Sequence, residues 1–174
     1  MNLKKLIRNV PNFPKEGIIF RDITTILQSP EGLKWAIESM EKSLEGLEFD
    51  YIIGPESRGF IFGVPLAYNL GKGFIPVRKE GKLPYTTKSK AYDLEYGTAT
   101  IEVHTDAFTP GQKVVIVDDL LATGGTSKAI IDLVEEMGGE VVKLVYLIEL
   151  DFLQGRKVLG DYNVTSLINY DDEE

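Results

Sequence analysis

The sequence predicts an α/β fold in which a mainly parallel central sheet is flanked by helices. Short runs of β-branched residues without polar alternation, such as Val114–Val117, are typical of strands that are buried on both faces. Helix-length segments with apolar residues three and four positions apart alternate with these runs along the chain. Strands and helices that alternate in this way build a parallel sheet with helices packed on its faces.

Length and composition limit the class of protein. The 174 residues are enough for one domain with a substantial core, and no repeat or linker divides residues 1–174. The formal net charge of −8 argues against nonspecific binding of nucleic acid or of an anionic membrane. The absence of cysteine excludes a disulfide framework, a thiolate nucleophile and a cysteine-based zinc site. No segment has the pattern of a secretory signal or a membrane span, so we expect a cytoplasmic protein.

The N-terminal part combines a helix pattern with an apolar, turn-rich stretch. Residues 3–9 predict a short amphipathic helix that Pro11 ends. Residues 11–22 then carry many turn formers together with Phe13 and the apolar run Ile18–Phe20. This stretch is either a loop packed over the edge of the core, or a lid whose apolar groups sandwich a flat ring while its backbone contacts the edge of that ring. The pattern supports both interpretations equally.

A candidate anion-binding loop follows the next strand. Ser29 and Pro30 begin a helix, as its N-cap and its first helical residue, and residues 49–53 form the strand after it. Gly54–Phe60 comes directly after this strand and contains glycines and Arg58. Such a loop suits an anion at the edge of the sheet, although Arg58 could equally pair with a surface acid.

A helix and a strand then lead to a basic segment. Residues 60–70 predict a helix with a kink or early break at Pro65. Residues 73–77 predict a strand in which Pro76 indicates an interruption or an edge position. Four of the chain's 19 lysines and arginines lie in the next 11 residues, at Arg78, Lys79, Lys82 and Lys88.

This basic segment is either a solvated loop or a lid that closes over an anionic substrate and excludes water. We favour the lid, because water would compete for an activated substrate. Residues 98–104 alternate in polarity and predict the second strand of an antiparallel ribbon that carries this loop. His104 is the chain's one histidine and fits a surface strand position better than a metal site.

The most informative stretch is residues 114–126. A buried strand leads to Asp118 and Asp119, where ligands bind in open α/β sheets. The turn Ala122–Thr126 has only small side chains, so its amides can approach a ligand, and Thr126 is predicted to cap the helix that follows. Either feature alone could be an exposed acid pair or a tight turn, but together they favour a phosphorylated ligand. The sequence lacks the P-loop lysine and the dinucleotide-binding glycine pattern.

Four segments resemble known families. Residues 54–60 resemble the pyrophosphate-binding loop of phosphoribosyltransferases, and residues 94–97 resemble the segment of adenine phosphoribosyltransferases that bears the catalytic glutamate. Residues 114–126 resemble the phosphoribosyl-pyrophosphate motif of type I phosphoribosyltransferases: an apolar strand, two acids and a Thr-Gly-Gly-Thr turn. Residues 13–22 resemble the N-terminal hood of adenine phosphoribosyltransferases. The resemblance extends from residue 11 to about 155. It implies a type I phosphoribosyltransferase fold with a small hood, about residues 1–28, and a mobile β-ribbon loop, about residues 78–97.

The resemblance also implies a reaction, in which adenine and 5-phosphoribosyl 1-pyrophosphate give AMP and pyrophosphate. Mg²⁺ is expected to bind mainly through the substrate pyrophosphate, with no direct protein ligand, and the chain is expected to form a homodimer. Glu95 is implied as the catalytic acid–base, and the Glu56–Ser57 peptide is expected to be cis. The residues implied to bind phosphoribosyl pyrophosphate are Asp118, Asp119, Ala122, Thr123, Gly124, Gly125, Thr126, Ser57, Arg58, Arg78 and Lys82. The residues implied to bind adenine are Ile19, Arg21, Leu120 and Leu150.

Two alternatives remain at the level of sequence. The first is a phosphoribosyltransferase for hypoxanthine, guanine or xanthine, whose site would need partners for an exocyclic oxygen. The second is a regulator that senses phosphoribosyl pyrophosphate without turnover. We prefer the enzyme, because the chain keeps Arg78–Pro84 and Glu95 and has no added basic module.

Overall fold

The computed structural model describes residues 2–94 and 97–173. The strands in this part of the chain are β1 (Arg8–Pro11), β2 (Ile19–Asp22), β3 (Tyr51–Pro55), β4 (Gly73–Lys79), β5 (Thr87–Asp93), β6 (Thr98–His104), β7 (Lys113–Leu121), β8 (Glu140–Leu150) and β9 (Val164–Tyr170). The α-helices are α1 (Thr24–Leu27), α2 (Pro30–Ser43), α3 (Arg58–Leu70), α4 (Gly125–Glu136) and α5 (Gly155–Leu159). Leu3–Lys5 and Asp151–Leu153 form 3₁₀ turns.

Seven strands form the central sheet, in the order β5-β6-β4-β3-β7-β8-β9. The five strands from β4 to β9 in this order are parallel, and β6 and β5 extend the sheet as an antiparallel ribbon. The sheet is therefore mainly parallel, as predicted. β1 and β2 pair separately as an antiparallel hairpin within the predicted hood.

The middle of the sheet is buried on both faces because successive side chains of β7 point to opposite sides. Val115 and Val117 belong to the core that contains α2 and α3, whereas Val114 and Ile116 belong to the core that contains α4. All four valine and isoleucine side chains have no solvent exposure. This double burial explains the unbroken apolar run in the sequence.

Residues with known local preferences mark where several helices and strands begin or end. Ser29 caps α2, since its Oγ accepts a hydrogen bond from the Gly32 amide at 3.1 Å. Gly71 ends α3 with φ 67°, as predicted, and Pro65 is accommodated inside that helix without breaking it. β6 pairs with β4 only at Arg78 and Lys79. Pro76 therefore lies in the part of β4 whose one neighbouring strand is β3.

Two predicted elements differ clearly from the structure. The predicted helix over residues 3–9 is a single 3₁₀ turn followed by β1, which pairs with β2. A helix of seven residues is only marginally stable, and the hairpin gives these backbone groups a partner. β7 also continues through Asp118 and Asp119 to Leu121, because β8 keeps pairing with it as far as Glu149. Within the part of the chain that the structure describes, no helix has the length and apolarity needed to cross a bilayer.

Candidate active site

A polar cleft opens at the carboxyl ends of β3, β4 and β7. It consists of two adjoining cavities of about 380 Å³ and 220 Å³. The two cavities share Arg58, Asp118, Asp119 and Thr126. This is the edge at which open parallel sheets bind ligands, since the loops that leave the strands diverge there.

The acid pair lies at the centre of the cleft. The Asp119 amide donates a hydrogen bond to Asp118 Oδ1 at 2.8 Å, and Arg58 Nε lies 2.6 Å from Asp119 Oδ2. Asp119 is 6% exposed. Burial, and then the charge of Asp119, raise the pKa of Asp118 well above its usual value. Two charges on this pair are therefore disfavoured in the free site, and the pair suits a ligand that is cationic or bears hydroxyl groups.

The small-residue turn Ala122–Thr126 lines the smaller cavity. The prediction that Thr126 caps α4 is wrong: Gly124 is the N-cap, with φ 88°, and Thr126 is the second residue of the helix. Glycine is required there because a side chain at 124 would be strained at this φ, and its Cβ would lie 2.8 Å from the Gly155 carbonyl oxygen. The first residues of α4 line this cavity, and the free amides at the start of a helix are suited to bind an anion.

Basic groups form the wall of the larger cavity. Ser57, Arg58, Arg78 and Lys79 all line it, and the Glu56–Ser57 peptide is cis, as predicted. Glu56 Oε1 accepts hydrogen bonds from the Lys79 amide at 2.8 Å and from Arg78 Nε at 3.3 Å. The Lys79 amide and the Arg78 charge lower the pKa of Glu56. Glu56 thus stays ionised and holds Arg78 at the cleft.

Two side chains of the antiparallel ribbon contact helix α4. The Tyr92 hydroxyl lies 3.1 Å from the Thr126 hydroxyl, and Lys90 Nζ lies 2.5 Å from Glu136 Oε1 on α4. At the end of β5, the Leu94 amide donates a hydrogen bond to the Gly97 carbonyl at 2.9 Å. These contacts hold β5 against α4.

The predicted site residues fall into three groups. The cleft brings together Ser57, Arg58, Arg78, Asp118, Asp119, Leu120, Ala122, Thr123, Gly124, Gly125 and Thr126. Four others lie outside its lining, namely Ile19, Arg21, Lys82 and Leu150. Glu95, the predicted acid–base, lies outside the described residues.

The residues outside the lining have definite places. Lys82 is exposed in the turn after β4, where its amide bonds the Lys79 carbonyl. Ile19 and Arg21 lie on β2, and the Arg21 guanidinium is buried 4.1 Å from the centre of the Tyr170 ring. Leu150 ends β8 and packs against the core that contains α2.

Phe20, which lies between Ile19 and Arg21 in the predicted hood, contacts Arg58 of the cleft. The Arg58 guanidinium carbon lies 5.4 Å from the centre of the Phe20 ring. Because side chains alternate along a strand, Phe20 meets Arg58 while Arg21 turns toward Tyr170. The backbone of β2 therefore runs beside the arginine that binds Asp119.

Sequence reasoning missed several residues of the cleft. The additional lining residues include Glu56, Val77, Lys79, Tyr92, Ile101 and Ser127. Lys79 carried a signal, since it stands beside Arg78 in the basic run. No pattern in the sequence indicated Tyr92 and Ile101, because their positions depend on how the ribbon packs against α4.

Comparison with known proteins identifies the family. Residues 22–174 match the model of the phosphoribosyl transferase domain. Adenine phosphoribosyltransferase of Acetivibrio thermocellus is 63% identical over 171 residues, which cover 98% of this chain and 100% of the relative. The crystal structure of adenine phosphoribosyltransferase from Thermoanaerobacter pseudethanolicus has a TM-score of 0.94 at 55% identity, covering 97% of this chain and 98% of that one.

A more distant structure agrees. Adenine phosphoribosyltransferase from Saccharomyces cerevisiae, solved in complex with an imino-altritol bisphosphate and adenine, has a TM-score of 0.88 at 41% identity. That comparison covers 94% of this chain and 95% of the yeast chain. The chain has the type I phosphoribosyltransferase fold, and adenine phosphoribosyltransferases match it along nearly its whole length. It therefore belongs to the adenine phosphoribosyltransferase family, whose members are enzymes of purine salvage.

Proposed function

We propose that this chain transfers the phosphoribosyl group of 5-phosphoribosyl 1-pyrophosphate to adenine, giving AMP and pyrophosphate. The observation that carries the proposal is the shared cleft, in which an acid pair lies between an anion-binding helix start and a basic wall. Those three surfaces match the hydroxyls, the 5-phosphate and the pyrophosphate of one substrate. The adenine bound in the yeast relative supports the choice of base.

The sugar phosphate would bind at β7 and the start of α4. Asp118 and Asp119 would accept hydrogen bonds from the ribose hydroxyls, which would replace part of the Arg58 contact to Asp119. The amides and hydroxyls of Ala122–Thr126 would hold the 5-phosphate. Both acids would also lie near the positive charge that develops on the sugar as its bond to pyrophosphate breaks.

The pyrophosphate would leave along the basic wall. Arg58 and Arg78 line this wall, and Lys82 would join them when the loop after β4 closes. Closure would also exclude water, which otherwise competes with adenine for the sugar.

Magnesium fits this site as a partner of the substrate. Within residues 2–94 and 97–173 no group of three or more His, Cys, Asp or Glu side chains could hold a metal alone. Asp118 and Asp119 line the cleft, and their negative charge would attract a cation carried by the pyrophosphate without either acid binding it directly. The metal would take most of its ligands from the pyrophosphate and water, and would neutralise charge on the leaving group.

Adenine would bind between the hood and the acid pair. Ile19 and Arg21 would contact it through the backbone of β2, with Leu120 and Leu150 flanking the ring. The electron pair of the sugar–oxygen bond leaves with pyrophosphate, a ring nitrogen of adenine forms the new bond to the sugar, and that nitrogen loses its proton. We assign Glu95 as the group that accepts the proton.

Residues 1–174 are proposed to act as one domain within a cytoplasmic homodimer, with a hood over about residues 1–28 and a mobile loop over about residues 78–97. The hairpin of β1 and β2 supports the hood. The outer face of α3 supports self-association, since Ile61, Val64 and Tyr68 are exposed at spacings of three and four residues.

The test is release of pyrophosphate from 5-phosphoribosyl 1-pyrophosphate, with adenine, hypoxanthine, guanine and xanthine supplied separately. We expect turnover with adenine, its loss on removal of Mg²⁺ with a chelator, and a slower rate in Glu95→Gln. Turnover with an oxopurine but not with adenine would contradict the assigned base. Binding of the sugar substrate without turnover of any base would point instead to a sensor.

A further inference from the structure

A polar network centred on the buried Glu149 lies behind the small-residue turn, and its arginine, Arg156, is half exposed. Glu149, which is 3% exposed, binds Arg156 through two hydrogen bonds, Nε to Oε1 at 2.7 Å and Nη2 to Oε2 at 2.8 Å. Ser166 Oγ donates to Glu149 Oε2 at 2.5 Å, and Asn169 Nδ2 donates to the same oxygen at 3.3 Å. Asn169 also donates to Asp151 Oδ1 at 2.9 Å.

The network joins three elements. Glu149 belongs to β8, Ser166 and Asn169 to β9, and Arg156 to the short helix α5. Arg156 Nη1 additionally donates to the Val164 carbonyl at 3.2 Å. A two-point guanidinium–carboxylate contact fixes orientation as well as distance, so it holds α5 in one position against the sheet.

α5 in turn packs directly on the back of the turn. A Cβ built on Gly155 would lie 2.5 Å from the Ala122 carbonyl oxygen, and one built on Gly124 would lie 2.8 Å from the Gly155 carbonyl oxygen. Val158 of α5 also approaches Gly124. The backbones of α5 and the turn therefore come close together at these two glycines, and neither position has room for a side chain.

We propose that Arg156 is a positioning residue for the 5-phosphate: anchored by Glu149, it presses α5 against Ala122–Gly124 and sets the positions of the amides that bind the phosphate. Arg156 does not line the cleft, so its effect on the ligand is transmitted through Gly155. This inference rests on the proposed function for the identity of the anion.

Two independent changes test the contact. Arg156→Lys keeps the charge but cannot make the two-point bond, and Gly155→Ala pushes directly on the Ala122 carbonyl. We expect each to weaken binding of ribose 5-phosphate, measured by titration calorimetry, by about tenfold or more, because small displacements of binding groups have effects of this size. We also expect KM for 5-phosphoribosyl 1-pyrophosphate to rise while KM for adenine changes little.

Gly139→Ala is the matched control. Its Cβ would lie 2.6 Å from Phe108 Cε2, a clash of similar size, but Gly139 precedes β8 at the opposite end of the sheet. This variant should lose stability without a change in ribose 5-phosphate affinity. All affinities are measured below the unfolding temperature of each variant.

The proposal is overturned if Arg156→Lys binds ribose 5-phosphate within about twofold of the wild type, whatever the effect of Gly155→Ala, or if KM rises equally for both substrates. The proposed function is tested separately. A wild-type chain that binds ribose 5-phosphate but does not turn over adenine would refute the reaction, while the same titrations would still decide the role of Arg156.

Discussion

Asp118 is a residue whose ionisation opposes folding. It lies beside Asp119 in the cleft, and burial together with that neighbouring charge raises its pKa. For an acid with a raised pKa, the folded state holds the proton more tightly than the unfolded chain does. The stabilising contribution of the protonated form is complete below the unfolded pKa, near 3.8, and is lost as pH rises through the folded value.

Asp118→Asn should therefore stabilise the protein and impair it as an enzyme. Asparagine keeps an oxygen for the Asp119 amide but removes the charge. We expect the free energy of unfolding at neutral pH to rise by about 1 kcal/mol, which is roughly 2–4 °C in Tm. We expect kcat/KM to fall by about a hundredfold or more, because the charge that faces the developing cation is lost.

Calorimetric unfolding of both proteins from acid to neutral pH checks the cause. The stability advantage of Asp118→Asn over the wild type should grow as pH rises and vanish in acid, where both side chains are neutral. An advantage of constant size across the pH range would show that the change in stability does not come from ionisation of Asp118.

Gly124 tests the shape of the turn that would bind the phosphate. Alanine at φ 88° costs about 1–2 kcal/mol of strain, and its Cβ would also press on the Gly155 carbonyl. Gly111→Ala is the control, since Gly111 has the same φ of 88° but open space around its Cβ. We expect both variants to lose stability, and Gly124→Ala alone to raise KM for 5-phosphoribosyl 1-pyrophosphate, by about tenfold or more. Equal KM values in the two variants would contradict this role.

At the scale of elements, the hood depends on contacts made by its second strand. Arg21 of β2 and Lys4 both lie over the ring of Tyr170, at 4.1 Å and 4.7 Å from its centre. Tyr170 ends β9, so this ring connects the hood to the far edge of the sheet. The backbone of β2, which we assign to adenine, is thereby held from the side away from Arg58.

Tyr170→Leu should loosen the hood and weaken adenine binding selectively. A cation over an aromatic ring is worth about 0.5–2 kcal/mol, which corresponds to roughly a two- to thirtyfold rise in KM for adenine. Tyr170→Phe keeps the ring and should restore most of the affinity. Steady-state kinetics with each substrate varied in turn make the measurement.

Phe49→Leu is the matched control for this change. Phe49 is 7% exposed and Tyr170 8%, and Lys72 lies 4.9 Å from the centre of the Phe49 ring. Phe49→Leu should lower stability and leave KM for adenine unchanged. A rise in KM for both substrates in Tyr170→Leu, with no recovery in Tyr170→Phe, would count against the hood contact.

The sequence predicted those elements whose signals are local. The double-sided burial of Val114–Val117, the Ser29 cap and the glycine end of α3 all depend on residues a few positions apart. The acid pair and the turn after it were found for the same reason. The end of β7 was misplaced because Asp118 and Asp119 look like a strand end, whereas pairing with β8 extends the strand past them.

Features that depend on tertiary contact were not predictable in this way. Nothing in the sequence places Tyr92 beside Thr126 or α5 behind Gly124, since each pair is brought together by packing of distant segments. The cap of α4 was assigned to Thr126 on side-chain chemistry, but the close approach of Gly155 requires glycine at 124. These details of the site are therefore set by tertiary packing and not by the helix or turn propensity of single residues.

At the scale of the whole molecule, the fold concentrates positive charge locally on an acidic chain. The chain carries a net charge of −8, yet Arg58, Arg78 and Lys79 converge on one cavity. They converge because β3 and β4 are parallel neighbours, so the segments at their carboxyl ends emerge at the same edge. The acids of β7, the next strand, complete the cleft from the other side.

The proposed homodimer gives the last prediction. Val64 lies on the exposed apolar face of α3 and is 48% exposed, and a charge there would have to be buried in an interface between two copies. We expect light scattering coupled to size exclusion to give a dimer for the wild type and a monomer for Val64→Glu. Val158→Glu is the control, since Val158 is 46% exposed on α5 and should leave the mass unchanged. A wild-type monomer, or a Val64→Glu dimer, would show that this face of α3 is not the interface.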